Sequence, residues 1–299
     1  MPYTEIKEKN GKKYYYRVKS IRKGEKVNKE RVYLGVNLDK KQISEKEIEA
    51  DKELLYLNNI LTDKEIKELD KIQQEYLKQP KENFLNRYEV FTSDFTYNST
   101  AIEGNTLTLQ ETAQLLFEGI TPRKSLREIN EIINHKLAFD YLLKYGGDLT
   151  KDFICELHKL AVKETLKEEL KTQIGCFRNV QVYIRGTDWL PPKPKEVPKE
   201  IKSLLFWYSS NKEKLHPLVL TAYFHAAFET IHPFIDGNGR VGRLIMNFIL
   251  HKNKYPMINI PNTIKHRYYD ALESAQIKGD LMPLIKLLFE ILKNSKVRF

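Results

Sequence analysis

The sequence predicts a mainly α-helical protein preceded by a small basic β module. Stretches with apolar residues at helical spacing run through most of the chain from residue 40 onward. Four of them begin with the capping-box pattern, a Ser or Thr followed three residues later by Glu, and these start at Ser44, Thr62, Thr108 and Ser125. In residues 12–37, by contrast, aromatic and β-branched residues alternate with basic ones, as in β-strands.

Composition limits the class of protein. The chain has 299 residues, of which 41% are hydrophobic, enough for one large domain or two smaller ones. No run of about 18 apolar residues exists, so no membrane span is expected. The first residues are polar and lack an apolar signal core, and Cys155 and Cys176 are the two cysteines. These features predict a cytoplasmic protein without a disulfide framework.

Residues 1–39 form the predicted basic β module. Residues 1–36 contain eight Lys and three Arg against four Glu, a net charge of +7 out of +10 for the chain. Strands on either side of a turn at residues 23–25 predict a β-hairpin or a small three-stranded sheet. The consecutive tyrosines at positions 14–16 can stack on bases, so nucleic acid is a candidate partner of residues 1–38. The alternative is a solvated sheet whose tyrosines dock on the helical body.

Two further regions follow the β module. Residues 40–82 are predicted to form a helical connector, which ends near Pro80 and carries no chemistry. Residues 83–299 are predicted to form the larger domain, which begins with a helix at 84–105 that ends at Glu103-Gly104-Asn105. Two histidines in later helical patterns, His135 and His158, are expected to be structural.

Residues 176–192 interrupt the helical patterns. Val180, Val182 and Ile184 alternate with polar residues, and a turn follows at residues 185–188. This pattern predicts a β-hairpin within an otherwise helical domain.

Residues 231–243, with the sequence I-H-P-F-I-D-G-N-G-R-V-G-R, lie between two apolar helical patterns at 217–231 and 240–250. Gly237 and Gly239 form a turn at the start of the second helix. Backbone amides in such a turn can approach a ligand closely, and the positive end of the helix dipole favours phosphate.

Side chains around this turn complete the predicted site. Arg240 and Arg243 are three residues apart on one helix face, which Asn247 continues, so both guanidinium groups can bind one anion. His232 is placed to act as a base or nucleophile, and Asp236 is a hard oxygen ligand suited to Mg²⁺. Together these residues indicate phosphoryl or nucleotidyl transfer. His225, seven residues before His232, either orients the catalytic ring or packs in the core.

The motif closely resembles the signature of the Fic family, H-x-F-x-D/E-G-N-G-R-x-x-R, at every specified position, and the resemblance covers about Phe84 to Leu292. It implies a Fic-like helical bundle with a β-hairpin flap at 176–192. It also implies transfer of AMP from ATP to a Ser, Thr or Tyr hydroxyl of a target protein, with release of pyrophosphate and with Mg²⁺ as cofactor. Residues 99–104 resemble the family's inhibitory motif, S/T-x-x-x-E-G/N, in the N-terminally regulated class.

The resemblance also assigns roles to residues. His232 accepts the proton of the target hydroxyl. Glu103 pairs with Arg243 and blocks the γ-phosphate, and Ser99 is the first residue of the same inhibitory motif. Tyr183 and Ile184 of the flap align the target backbone. The following residues surround the nucleotide: Gly237, Asn238, Gly239, Arg240 and Arg243 at the phosphates, Asp236 at Mg²⁺, and Tyr268, Tyr269 and Gln276 at the adenine. Gln276 stands where relatives often have Asn, and the loop after it is one residue longer, so base selectivity is open.

Several alternatives stay open at this point. The same site can remove AMP from a modified protein, or it can donate UMP or phosphate. A third alternative is a DNA-binding regulator in which the β module binds DNA and the Fic-like domain senses nucleotide. Self-modification is an expected side activity, and the sequence does not decide whether the protein forms a homodimer.

Overall fold

The computed structural model describes residues 3–9, 11–23, 26–54, 57, 60–184, 187, 189–295 and 298–299. These residues fall into two compact units, Met1–Ile66 and Lys67–Phe299, with the boundary inside one helix. We call them the β unit and the helical unit. Among the described residues, none of the helices is both long enough and apolar enough to cross a membrane.

The β unit contains a three-stranded antiparallel sheet in the order β1-β2-β3, so the three-stranded alternative is confirmed. The strands are β1 (Tyr3–Lys9), β2 (Lys12–Lys23) and β3 (Lys26–Val36). A register shift between Tyr15 and Tyr16 bends β2 where it pairs with β3. In the predicted turn between β2 and β3, Gly24 and Glu25 lie outside the described residues.

One helix, α1 (Lys40–Leu54), packs on this sheet. It begins five residues earlier than the capping box at Ser44 predicts, because Asp39 provides the cap. The Asp39 Oδ1 accepts from the Gln42 amide at 2.8 Å, and the Gln42 side chain accepts from the Asp39 amide at 3.1 Å. Tyr15 is buried with Leu34 and Ala50. The predicted connector helix therefore belongs with the sheet, and Tyr15 cannot stack on bases.

The remaining helices follow α1 in chain order. They are α2 (Asp63–Leu77), α3 (Phe84–Ile102), α4 (Leu109–Ala113), α5 (Leu126–Lys144), α6 (Lys151–Ala161), α7 (Val197–Asn211), α8 (Pro217–Ile231), α9 (Asn238–Lys252), α10 (Lys265–Lys278) and α11 (Met282–Asn294). The capping boxes predicted at Thr62, Thr108 and Ser125 are confirmed by their side-chain hydrogen bonds.

Helices α8 and α9 form the centre of the helical unit. Helices α3, α5 and α6 contact α9, while α7, α10 and α11 contact α8. All eleven residues from Arg240 to Leu250 of α9 are buried. A helix that is buried all round is characteristic of a core element. The turn between α8 and α9, which carries the predicted motif, is therefore held on several sides by other helices.

Residues 176–192 fold back on themselves, as predicted, but their described part forms a loop and not a regular β-hairpin. Side chains join the two arms instead of a backbone ladder. Arg178 Nη2 donates to the Pro192 carbonyl at 2.6 Å, and Gln181 Nε2 donates to the Pro191 carbonyl at 3.0 Å. Arg185, Gly186 and Asp188 of the predicted turn lie outside the described residues. We call residues 176–192 the flap loop.

Candidate active site

His232 ends α8 in a left-handed backbone conformation, with φ 49° and ψ 63°. A non-glycine residue adopts this region only when its surroundings hold it there. The His232 amide donates to the Phe228 carbonyl at 2.9 Å, and the His232 carbonyl accepts from Arg178 Nε at 2.8 Å. Hydrogen bonds at its amide and at its carbonyl therefore hold His232 in this conformation.

The turn after His232 is held by the side chain of Asn238. Its Oδ1 accepts from the Phe234 amide and its Nδ2 donates to the Phe234 carbonyl, both at 2.8 Å. Gly237 has a φ of 81°, which a larger residue rarely adopts. Helix α9 then starts at Asn238, so the first amide groups of α9 lack carbonyl partners in a preceding turn. The predicted anion-binding helix start is present, with Asn238 supporting it through its side chain.

Arg240 is buried at the base of this turn. Its Nη2 lies 3.3 Å from Asp236 Oδ1, its Nη1 donates to the Ala161 carbonyl at 3.4 Å, and Glu131 lies 4.0 Å away. Arg127 approaches the other Asp236 oxygen at 3.6 Å. These contacts fix the guanidinium group beside the start of α9. A positive charge in this place is suited to stabilise a bound anion.

Arg243 lies one turn further along α9, and its side chain is 2% exposed. Its Nε donates to Ser99 Oγ at 3.0 Å, and its Nη2 donates to the Ser99 carbonyl at 2.7 Å and to Glu103 Oε1 at 2.8 Å. The Glu103 side chain, by contrast, is 36% exposed. The structure thus places Glu103 against Arg243, as predicted, and adds two contacts from Ser99 that the sequence did not predict.

Gly239 is the point at which the Glu103 carboxylate meets the helix start. A Cβ atom at Gly239 would lie 2.1 Å from Glu103 Oε1 and 3.0 Å from Arg243 Nη1. The space in front of the first turn of α9 is open to a ligand only because position 239 has no side chain, and the Glu103 carboxylate occupies part of it.

Asp236 is the candidate Mg²⁺ ligand, and its carboxylate side chain is 39% exposed. The described residues contain no group of three or more His, Cys, Asp and Glu side chains arranged to hold a metal ion. Mg²⁺ bound to nucleotides commonly takes one or two protein carboxylates, with phosphate oxygens and water completing the octahedron. A single accessible carboxylate beside the start of α9 fits that arrangement.

Burial sets the protonation of the histidines in the site. Burial lowers the pKa of His232 to about 4, although a hydrogen bond with the Glu229 backbone acts in the opposite direction. The imidazole is therefore neutral near pH 7 and can accept a proton. His158 is confirmed as structural. Its Nε2 contacts the Asp236 carbonyl at 3.1 Å, its Nδ1 accepts from the Gly175 amide at 2.9 Å, and its ring stacks on Phe234.

Two predicted site residues have structural roles instead. Asn247 is fully buried, and both ends of its amide bind the backbone of Ile258, at 2.9 and 2.7 Å, so it has no group left for phosphate. Tyr268 is 0% exposed, and its hydroxyl contacts His225 Nε2 at 2.6 Å. Tyr268 therefore cannot stack on adenine. Helical spacing predicts the face on which Asn247 lies, but it does not show that Ile258 covers this side chain.

Tyr269 and Gln276 remain candidates for the adenine pocket. The Tyr269 ring is 42% exposed, and its hydroxyl donates to the Ile102 carbonyl at 3.1 Å, next to Glu103. Gln276 is partly buried on the same helix, two turns further on.

In the flap loop, Tyr183 is 82% exposed and Ile184 is partly buried. The loop is anchored by Arg178, which the sequence did not point to. Arg178 is 2% exposed and donates to the carbonyls of His232, Pro192 and Val180. A single arginine before an alternating stretch carries no signal of this role.

Comparisons of the sequence with known proteins give one matching family and several similar proteins. Residues 148–250 match the Fic/DOC family. A protein adenylyltransferase Fic from Nematostella vectensis is 35% identical over 198 residues, which cover 64% of this chain and 45% of that protein. A protein adenylyltransferase Fic from Drosophila persimilis is 36% identical over 204 residues, covering 67% and 39%. The chain spans less than half the length of these curated relatives.

Solved structures give the same result. A Fic-domain-containing signalling protein from Bacteroides thetaiotaomicron superposes with a TM-score of 0.70 at 29% identity, covering 77% of this chain and 94% of that chain. A Fic family protein from Desulfovibrio desulfuricans has a TM-score of 0.67 at 27% identity, covering 80% and 75%.

Proposed function

The chain carries a Fic domain, and from that premise we propose that it is an adenylyltransferase, which moves AMP from ATP to a Ser, Thr or Tyr hydroxyl of a target protein. One observation carries the proposal. Residues 232–243, at the α8–α9 turn and the start of α9, bring together a neutral histidine in a fixed position, the N-terminus of a helix and two buried arginines. These are the groups that nucleotidyl transfer needs, namely a base, amide donors for phosphate and fixed positive charge.

The proposed reaction is a single displacement at the α-phosphorus. His232 accepts the proton of the target hydroxyl, and the hydroxyl oxygen forms a bond to the α-phosphorus. The bond from the α-phosphorus to the bridging oxygen breaks, and pyrophosphate leaves with that electron pair. Arg240 stabilises the charge that develops on the phosphates, and Arg243 holds the γ-phosphate. Asp236 would hold Mg²⁺, which would neutralise charge on the phosphate oxygens.

We further propose that Glu103 inhibits the enzyme in its resting state. Its carboxylate forms the ion pair with Arg243 that a γ-phosphate would otherwise form, and it lies in the space in front of Gly239. A carboxylate and a phosphate compete for the same guanidinium group. Because Glu103 is partly exposed and sits just past the end of α3, it can leave Arg243 without disturbing the core.

The proposed activity and its inhibition can be tested together. Wild type, Glu103→Gly and Glu103→Gly/His232→Ala are incubated with Mg²⁺ and with ATP labelled at either the α- or the γ-phosphate. We expect α-label on protein, roughly 10- to 100-fold stronger in Glu103→Gly, since a hydrogen-bonded charge contributes about 1.5 to 3 kcal/mol. The double variant should carry no label.

Other outcomes separate the alternatives. Label from γ-ATP alone would show phosphorylation and would contradict AMP transfer. Equal labelling of wild type and Glu103→Gly would contradict inhibition by Glu103. Release of AMP from a previously modified protein, lost in Glu103→Gly, would identify AMP removal as the activity.

A second candidate function, nucleic-acid binding, is favoured by three tyrosines of the sheet in the β unit. Tyr14, Tyr16 and Tyr33 lie on the side opposite the buried Tyr15, with ring centroids 5.4 Å apart for Tyr16 and Tyr33 and 6.4 Å apart for Tyr14 and Tyr33. Lys7 lies over the Tyr16 ring at 5.5 Å. Aromatic rings flanked by basic groups bind bases and phosphates together.

Nucleic-acid binding can be measured by fluorescence anisotropy with labelled single-stranded and duplex DNA at several salt concentrations. We expect Tyr33→Ala to weaken binding about tenfold, the effect of losing one stacked base. The charge change Lys7→Glu should weaken binding and reduce its salt dependence. Lys41→Glu, an equal charge change at an exposed position of α1, is the control. Equal affinity of all variants would exclude this face as the binding surface.

A further inference from the structure

We infer that Glu229 is a positioning residue that fixes the tautomer of His232, by accepting a hydrogen bond from Nδ1 so that Nε2 keeps its lone pair for the target hydroxyl. The inference concerns how His232 is prepared as a base and therefore rests on the proposed function. Glu229 lies on the last turn of α8, three residues before His232, so both side chains project toward the same region.

The geometry leaves these two groups facing each other. Glu229 Oε2 lies 3.8 Å from His232 Nδ1. Glu229 Oε1 and His232 Nδ1 are both buried and without a hydrogen-bond partner among the described residues. A buried polar atom without a partner costs about 1 to 3 kcal/mol. An approach of less than 1 Å by Glu229 Oε2 would give His232 Nδ1 a partner. Hydrogen bonds at catalytic groups are often long before substrate binds.

The core around Glu229 reserves space for its carboxyl group. A Cβ atom at Gly242 would lie 2.3 Å from Glu229 Oε1 and 3.0 Å from the His225 ring. Glu229 is 6% exposed, so water does not compete freely for its oxygens.

Charged and titratable groups face Glu229 and His232 from every neighbouring element. They are His225 on α8, Arg243 on α9, Glu103 after α3, Tyr268 and Tyr269 on α10, and Arg178 and Asp236 beside His232. Burial raises the pKa of Glu229 to about 8, while Arg243 opposes this shift and Glu103 adds to it. Departure of Glu103 therefore favours the ionised carboxylate, which is the form that accepts from Nδ1–H.

The protonation state decides which nitrogen is the base. A protonated Glu229 donates to Nδ1, and the imidazole proton then sits on Nε2, where it prevents proton acceptance. An ionised Glu229 accepts from Nδ1–H, and Nε2 is free. The rate of AMP transfer should therefore rise with pH through the titration of the Glu229–His232 pair, and the pair has shared apparent pKa values.

The first test compares Glu229→Gln and Glu229→Asp, both in the Glu103→Gly background. We expect Glu229→Gln to lower kcat at least about tenfold, as for other carboxylates that orient a catalytic imidazole. The KM for ATP should stay within about twofold, because the substitution leaves the binding of ATP in the ground state unchanged. The rise of activity with pH should disappear in Glu229→Gln and remain, at reduced kcat, in Glu229→Asp. Asp94→Asn, which changes a partly buried carboxyl away from the motif, is the control.

The second test reads the tautomer directly and needs no activity. In protein with ¹⁵N-labelled histidine, NMR correlations through the ring identify which nitrogen of His232 carries the proton, and His232→Asn assigns the signal. Above the titration of the pair we expect Nδ1–H in Glu103→Gly, and a changed tautomer ratio in the Glu229→Gln variant. The same tautomer together with an unchanged pH profile in Glu229→Gln would overturn the inference. Absence of transfer in Glu103→Gly with an intact Nδ1–H signal would instead contradict the proposed function.

Discussion

The two sides of the candidate site are built differently. On the phosphate side, Arg240 and Arg243 are buried on a core helix, and each contacts groups from other elements. On the side of the target hydroxyl, the flap loop has no backbone ladder among its described residues, and Tyr183 is 82% exposed. Nucleotide recognition is therefore built into the core, whereas the target surface is held mainly through Arg178. This contrast predicts that substitutions on the phosphate side change the affinity for ATP, whereas substitutions on the side of the target hydroxyl change the rate of AMP transfer.

The largest expected effect is on the phosphate side. Arg243→Gln in the Glu103→Gly background should weaken ATP binding by about 3 kcal/mol, or more than 100-fold, because a buried charge that pairs with an anion is removed. Isothermal titration calorimetry measures the change. Arg267→Gln, at a half-exposed arginine paired with Glu290, is the control and should bind ATP normally. Equal ATP affinity in Arg243→Gln would show that the γ-phosphate is held elsewhere.

A change at Arg178 should affect the other side. Arg178→Gln removes donors to the carbonyls of His232, Pro192 and Val180, so both the base and the flap loop lose support. We expect transfer to fall about 10- to 100-fold, corresponding to one or two lost hydrogen bonds from a charged group, with ATP affinity unchanged. Calorimetry and the label assay read the two properties separately. A parallel loss of ATP binding would remove the distinction between the two sides.

Acid pH should destabilise the helical unit. Burial lowers the pKa of His158, His216 and His232 to about 4 and of His225 to about 3, below the usual 6.5. The unfolded chain thus binds protons that the folded chain excludes, so stability is lost as pH falls from about 6.5 to about 4. Glu229, whose pKa is raised, opposes this loss of stability at acid pH, but it is one group against four histidines.

We expect Tm to drop by about 5 °C or more between pH 7 and pH 5, measured by circular dichroism at constant ionic strength. His216→Phe, a substitution away from the motif, should reduce the slope without changing the tautomer of His232. A flat Tm over this interval would contradict the burial of these histidines as neutral groups.

The smallest effect is expected at Ser99. Ser99→Ala removes the hydroxyl that accepts from Arg243 Nε but leaves the Ser99 carbonyl and Glu103 in place. One hydrogen bond to a charged group contributes about 1.5 kcal/mol, so labelling should rise less than about tenfold and remain below that of Glu103→Gly. Thr100→Ala, whose hydroxyl binds the α3 backbone, is the control. Activation equal to that of Glu103→Gly would make Ser99 as important as the ion pair.

How far the sequence predicts this molecule depends on whether a role is local. The α8–α9 turn and three of the four capping boxes follow from motifs with fixed spacing, and the structure has them. The approach of Glu103 to Arg243, which the resemblance to the family implied, is also present. The start of α1 was predicted wrongly because a second cap, Asp39, lies nearer to β3. Helical spacing places Asn247 on the face of Arg243, but spacing does not show which groups neighbours cover. The resemblance places Tyr268 at the adenine, but it does not show that the His225 contact buries this ring. Arg178 acts through tertiary contacts, so no local pattern marks it. Glu229 is close to His232 along the chain, but its burial depends on the surrounding helices.

The empty position at Gly239 has a thermodynamic consequence. Because the Glu103 carboxylate occupies space that a side chain at 239 would fill, the carboxylate and a phosphate cannot be there at once. With Glu103 as the inhibitory group, the protein has a closed population, in which Glu103 contacts Arg243, and an open population, in which it does not. ATP binds only the open population. The apparent dissociation constant for ATP then equals the intrinsic one divided by the open fraction. Substitutions on α3 that never touch the nucleotide would change the ATP concentration at which the enzyme becomes active.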